Sequence, residues 1–128
     1  MLDMEHCLKR KKVLVVDDDP VVRILVSEYL KTNGHNVSVS GDGQNCLLKL
    51  KEDLPDLVLL DLQMPDMDGI EVLRRIRTNP ETASLRVLML SANADAVLMA
   101  EQNKLKLDGH ILKPFQMDTL LNVLDEVE

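Results

Sequence analysis

Aromatic residues are nearly missing from this sequence: its 128 residues contain no Trp, one Tyr and one Phe. That removes the stacking platforms on which single-stranded nucleic acids are held. A surplus of basic charge is missing as well. The formal net charge of −7 disfavours direct nucleic-acid binding, while it permits metal ions and basic partner surfaces. Cysteine is scarce, and Cys7 and Cys46 make neither a ligand-spaced pair nor a disulfide framework, as expected of thiols in a reducing compartment. No apolar run exceeds strand length, which predicts no membrane insertion, and the N-terminal segment lacks the apolar stretch of a signal peptide. The expectation is a cytoplasmic protein with one core: a basic tail over 1–11, whose run Lys9-Arg10-Lys11-Lys12 leads into the first strand, and a folded domain over 12–128.

Short apolar runs alternate with helix-length amphipathic segments, the pattern of βαβ units and a parallel sheet. Strands are expected at 13–16, 36–40, 57–60, 87–90 and 110–112, and helices at about 21–33, 43–53, 69–78, 95–106 and 116–127. Asp19-Pro20 suits the start of the first helix and Gly34 its stop. Three runs are apolar throughout, as strands covered on both faces should be, whereas Asn36-Val37-Ser38-Val39-Ser40 alternates and suits an edge. With right-handed crossovers this predicts a flavodoxin-like (βα)5 three-layer sandwich, its five-stranded parallel sheet in the order 2-1-3-4-5.

Ligands of such sheets bind beyond the carboxyl ends of the strands, where the order reverses. There the first run ends in Asp17-Asp18-Asp19, the third in Asp61, the fourth in Ser91 and the fifth in Lys113. The edge strand is expected to deliver nothing notable. Asp61 or Lys113 alone would read as a cap or a surface charge; together the residues form a site. Gathered carboxylates repel, and a bound cation relieves them. An all-oxygen donor set favours a hard ion, Mg²⁺ or the chemically close Mn²⁺. Lys113 adds fixed positive charge and Ser91 a hydroxyl, enough to position and neutralise a transferring phosphoryl group. Asp61, alone at the end of a central strand, is the candidate nucleophile, and the acids at 17 and 18 are candidates to share the metal.

Four strings carry a resemblance: Val13-Leu-Val-Val-Asp-Asp-Asp-Pro20, Leu59-Leu-Asp-Leu-Gln-Met-Pro-Asp-Met-Asp-Gly69, Met89-Leu-Ser-Ala92 and Ile111-Leu-Lys-Pro-Phe115. In this order they resemble the receiver domain of two-component response regulators, from about residue 12 to the end. The resemblance implies a phosphorelay signal-transduction switch rather than an enzyme acting on outside substrates. Asp61 would be the phosphorylated residue, with Mg²⁺ held by Asp18, Asp61 and the carbonyl of Gln63, and by Asp17 through water. Ser91, beside Ala92, would swing toward the phosphoryl group and Lys113 would pair with it. Pro114 would be a cis-proline, and Gln63 and Asn93 would tune how fast the phosphoryl group is lost. The donor would be a sensor histidine kinase or a histidine phosphotransfer protein. The readout would be the surface of the fourth helix, fifth strand and fifth helix, offered to a downstream protein or a fused output domain.

Two positions depart from that pattern. His110 stands where the family usually has Tyr or Phe, as a polar edge residue or as a switch. Lys106 stands where a Gly usually closes the fourth helix. Two other readings remain at this point: a haloacid-dehalogenase-like phosphohydrolase using Asp17, and a receiver that serves as a constitutive docking module. A flavin module would need a hydroxyl-rich loop where this chain has three acids.

Overall fold

The computed structural model describes residues 10–62, 68–91 and 95–126, without the side chains of residues 96, 97 and 126. Gln63, Ala92, Asn93, Cys7 and most of the basic tail lie outside the described residues. The elements alternate strictly: β1 (Lys12–Val16), α1 (Pro20–Thr32), β2 (Asn36–Ser40), α2 (Gly43–Glu52), β3 (Leu57–Asp61), α3 (Gly69–Thr78), β4 (Arg86–Ser91), α4 (Asp95–Gln102), β5 (Gly109–Leu112) and α5 (Met117–Glu126). The strands form one parallel sheet in the order β2-β1-β3-β4-β5. The flavodoxin-like expectation holds, and the alternating strand stands at an edge.

Strand periodicity divides the core in two. Val13, Val15, Leu57, Leu59, Leu88, Leu90 and Ile111 face α1 and α5, packing with Val26, Leu30, Leu120 and Leu124. Leu14, Val16, Val58, Leu60, Val87 and Met89 point the other way, toward Cys46, Leu50, Val72, Leu73, Ile76 and Ala100 on α2, α3 and α4. Alternate residues of the three central strands thus serve opposite layers, which is why those runs carry no polar positions. Cys46 is fully buried, and burial pushes its thiol up to about 12, so it is an inert core residue.

Helix starts follow the sequence. Asp19, Asp42 and Asp68 accept hydrogen bonds from the backbone of Val21, Asn45 and Ile70 at 2.9, 2.7 and 2.7 Å, satisfying first-turn N–H groups. The stops are less uniform. α1 closes with paired bonds from Gly34 to Lys31 and from His35 to Leu30, with Gly34 at φ +93°.

The fourth helix differs from expectation: it ends at Gln102, not near residue 106. The same paired closure occurs, from Lys104 N–H to Glu101 and from Leu105 N–H to Ala100, and it draws Leu105 onto the core beside Ala100. Lys104 occupies the left-handed position at φ 58°, where glycine is the usual occupant. A left-handed non-glycine residue carries a steric cost of about 1–2 kcal/mol. Lys104→Gly is expected to raise the unfolding free energy by about 0.5–1 kcal/mol in urea titration. An unchanged or lower midpoint would show that the lysine is not strained there.

Candidate functional site

The site is assembled by register. Val16 pairs with Leu60, so the next residues, Asp17 and Asp61, leave neighbouring strands side by side, both by alternation toward the α1–α5 layer. Asp18 follows in the turn into α1. The nearest carboxylate oxygens of Asp17, Asp18 and Asp61 all lie within 4.8 Å of one another. Asp17 is 0% exposed, Asp61 4%, and Asp18 opens to solvent.

One ammonium stands among them. Lys113 Nζ donates to Asp17 Oδ2 at 2.8 Å and lies 3.7 Å from Asp61 Oδ2. Burial pulls the Lys113 amine down, but the hydrogen bond and charge of Asp17, followed by the charges of Asp61 and Asp18, outweigh it. The net shift is upward, so this lysine stays protonated at neutral pH. The Lys113–Pro114 peptide is cis, as the resemblance implied. Lys113 N–H donates to the Ser91 carbonyl at 2.8 Å, tying the ends of β4 and β5. Ser91 itself is fully buried.

The edge strand corrects the expectation that it brings nothing: the Ser40 carbonyl accepts the Asp17 N–H at 3.1 Å. Asp17 Oδ1 accepts the Asp19 N–H at 2.9 Å. A second residue missed in the sequence is Arg23, whose Nη1 donates to the Asp17 carbonyl at 2.8 Å. Its only sequence signal is a basic residue in the first turn of a helix, the end where a cation is least favoured. Gly69, by contrast, closes the most specific string for a steric reason. A Cβ there would collide with Leu62 Cα and sit 2.8 Å from the Asp61 carbonyl, so glycine lets α3 begin against the residue that carries the carboxylate. His110 is exposed on β5.

Three carboxylates against one ammonium leave the crevice negative, and all donors are oxygen. The residues therefore fit a hard divalent cation such as Mg²⁺, which accepts a few carboxylates beside water and phosphate oxygens.

Comparison with known proteins agrees with this geometry. Residues 13–125 match the model of the response regulator receiver domain. This chain belongs to that family. It is 37% identical to the chemotaxis protein CheY-3 of Vibrio cholerae over 120 residues, 93% of this chain and 92% of that one. Sporulation initiation phosphotransferase F of Bacillus subtilis is 34% identical over 113 residues, covering 88% and 90%. The DNA-binding response regulator MtrA of Mycolicibacterium smegmatis is 37% identical over 112 residues, and the match spans 88% of this chain but only 48% of MtrA. Among solved structures, the chemotaxis response regulator CheY4 of Vibrio cholerae superposes with a TM-score of 0.85 at 31% identity, over 93% of this chain and 99% of that one.

A receiver domain with this acidic cluster is suited to Mg²⁺-dependent phosphoacceptor chemistry and control of a partner. The phosphohydrolase reading through Asp17 falls with the family match. The geometry agrees, since both Asp17 oxygens are engaged inside the fold.

Like-charge crowding gives a direct test. Without metal, Asp18→Asn is expected to stabilise this receiver by about 1 kcal/mol, a solvent-screened repulsion because Asp18 is exposed. Added Mg²⁺ should raise the melting temperature of the wild type and much less that of the variant. Equal Mg²⁺ responses in scanning calorimetry would remove Asp18 from the cation site.

Proposed function

We propose that Asp61 accepts a phosphoryl group from a sensor histidine kinase or a histidine phosphotransfer protein. The observation that carries this reading is the enclosed Asp61 carboxylate at the end of central β3, with Lys113 Nζ 3.7 Å away and two further acids within 4.8 Å. An Asp61 oxygen attacks phosphorus in line, the bond to the donor nitrogen breaks, and an aspartyl phosphate forms. A Mg²⁺ ion bound by Asp18, Asp61 and the Gln63 carbonyl, and by Asp17 through water, would neutralise charge on the phosphoryl oxygens. Lys113 has three N–H donors, so it can keep Asp17 and still turn one toward the new phosphoryl group.

The buried Ser91 hydroxyl is the second group to rearrange, moving toward the phosphoryl oxygens and drawing on the segment that holds Ala92 and Asn93. Gln63 and Asn93 set the phosphoryl lifetime. The result is a shift between two states, and full switching takes about 5 kcal/mol of differential interaction. Its readout is the face of α4, β5 and α5, where Leu98, Met99, His110 and Leu112 are exposed. There a downstream protein or a fused output domain is engaged. The switch domain is placed at 12–128, starting where β1 begins, with 1–11 as a basic tail, in a cytoplasmic protein. Sequence and fold support this setting: the cysteines are few and, among the described residues, no helix is long and apolar enough to cross a membrane.

Incubation with acetyl phosphate and Mg²⁺ is expected to give a single phosphoryl adduct in the intact mass. The adduct should be absent with chelator and absent in Asp61→Asn. An adduct that persists in Asp61→Asn would move the acceptor elsewhere.

A further inference from the structure

Arg23 has no part in the chemistry above, yet its guanidinium is committed to the site. It leaves the first turn of α1, where the helix dipole disfavours a cation. It reaches back to donate from Nη1 to the carbonyl of Asp17 at 2.8 Å. That carbonyl belongs to the peptide joining Asp17 to Asp18, so whatever fixes it also fixes where the Asp18 side chain departs.

Asp17 is otherwise held on every side. Its N–H is bound to the Ser40 carbonyl, Oδ1 to the Asp19 N–H and Oδ2 to Lys113 Nζ. Asp18 is the exposed member of the acidic cluster, and the peptide that carries it is pinned through Arg23.

The seat of the guanidinium is equally specific. A Cβ added at Gly41, just past β2, would lie 2.8 Å from Arg23 Nη1 and 3.3 Å from Cζ. Gly41 is not among the residues at positive φ, so its backbone places no demand for glycine. What glycine provides there is space for the arginine.

From this geometry we propose that Arg23 is a positioning residue: seated on Gly41, it holds the Asp17 carbonyl and thereby sets the Asp18 carboxylate toward the cation site. The proposal rests on the receiver-site reading above. It opposes a simpler view in which Arg23 only adds positive charge beside the acids. Positioning predicts that losing the arginine weakens cation binding, because the carboxylate is no longer preset. Charge alone predicts tighter binding when a nearby cation is removed. Gly41→Ala separates the two, since it displaces the guanidinium while keeping its charge. The obstructed atoms are the far end of a flexible side chain, so that substitution costs the fold little.

The test is calorimetric titration of the full chain with Mg²⁺, for wild type, Arg23→Ala, Gly41→Ala and Asp18→Ala, with melting temperatures in chelator measured alongside. Groups that orient metal ligands typically contribute 10–100-fold to affinity, so Arg23→Ala and Gly41→Ala are each expected to weaken Mg²⁺ about tenfold. Gly41→Ala should do so at a near wild-type melting temperature. Unchanged or tighter binding in Arg23→Ala, or unchanged binding in Gly41→Ala, would overturn the proposal while leaving the receiver site intact. If wild type and Asp18→Ala bind Mg²⁺ alike, the site reading itself fails and the proposal falls with it.

Discussion

Three carboxylates crowded around one ammonium are the constraint on which this receiver domain depends. Asp17, Asp18 and Asp61 approach within 4.8 Å, and Lys113 is bound to one of them and near another. Like charges held this close raise the energy of the metal-free state, and either a cation or a rearrangement of charge lowers it. The fold supplies the force that holds them. Asp17 directly follows β1 and Asp61 is the last residue of β3. The residues before them, Val16 and Leu60, are fully buried, so neither acid can retreat without pulling a strand end from the core. Stability stored in the sheet is spent on keeping a poorly balanced rim.

The opposite end of the sheet shows the contrast. There Asp108 is bound by Arg77 Nη2 at 3.3 Å and accepts the Val87 N–H at 2.8 Å. Arg77 also donates to the carbonyls of Lys106, Ala83 and Leu85, which ties the end of α3 to the loops entering β4 and β5. Arg86 and Lys106 lie nearby at 3.8 and 3.9 Å. Three cations share this one carboxylate, but the hydrogen bonds cross-link α3 to both loops, which rigidifies the base. The two ends divide the labour: a cross-linked base fixes the strands, and a crowded acidic rim is ready to respond.

Much of this was legible in the sequence because it rests on short-range physics. Strand periodicity and covered runs fixed the layers and the order 2-1-3-4-5, and the polar residue ending each central run marked the rim. Asp19 and Gly34 marked the limits of α1 through capping. What escaped depends on geometry that no local pattern encodes. α4 stops at Gln102 because its closing turn places Lys104, not a glycine, in the left-handed position. The Ser40 carbonyl serves the site through the backbone, so the side chain gave no sign of it. Arg23 reached the site from a helix rather than a strand end, and its seat on Gly41 exists only once β1 and β2 lie side by side.

Filling this rim is what shifts the domain between two states. The most direct measurement is the amide NMR spectrum of the wild type with Mg²⁺ and beryllofluoride, a phosphoryl mimic, beside the same titration of Asp61→Asn. New resonances are expected not only at Asp17, Asp61 and Lys113 but across Ser91, β5 and α4, all absent in the variant. Changes confined to the ligand's immediate neighbours, or identical in Asp61→Asn, would contradict a switch driven from this site.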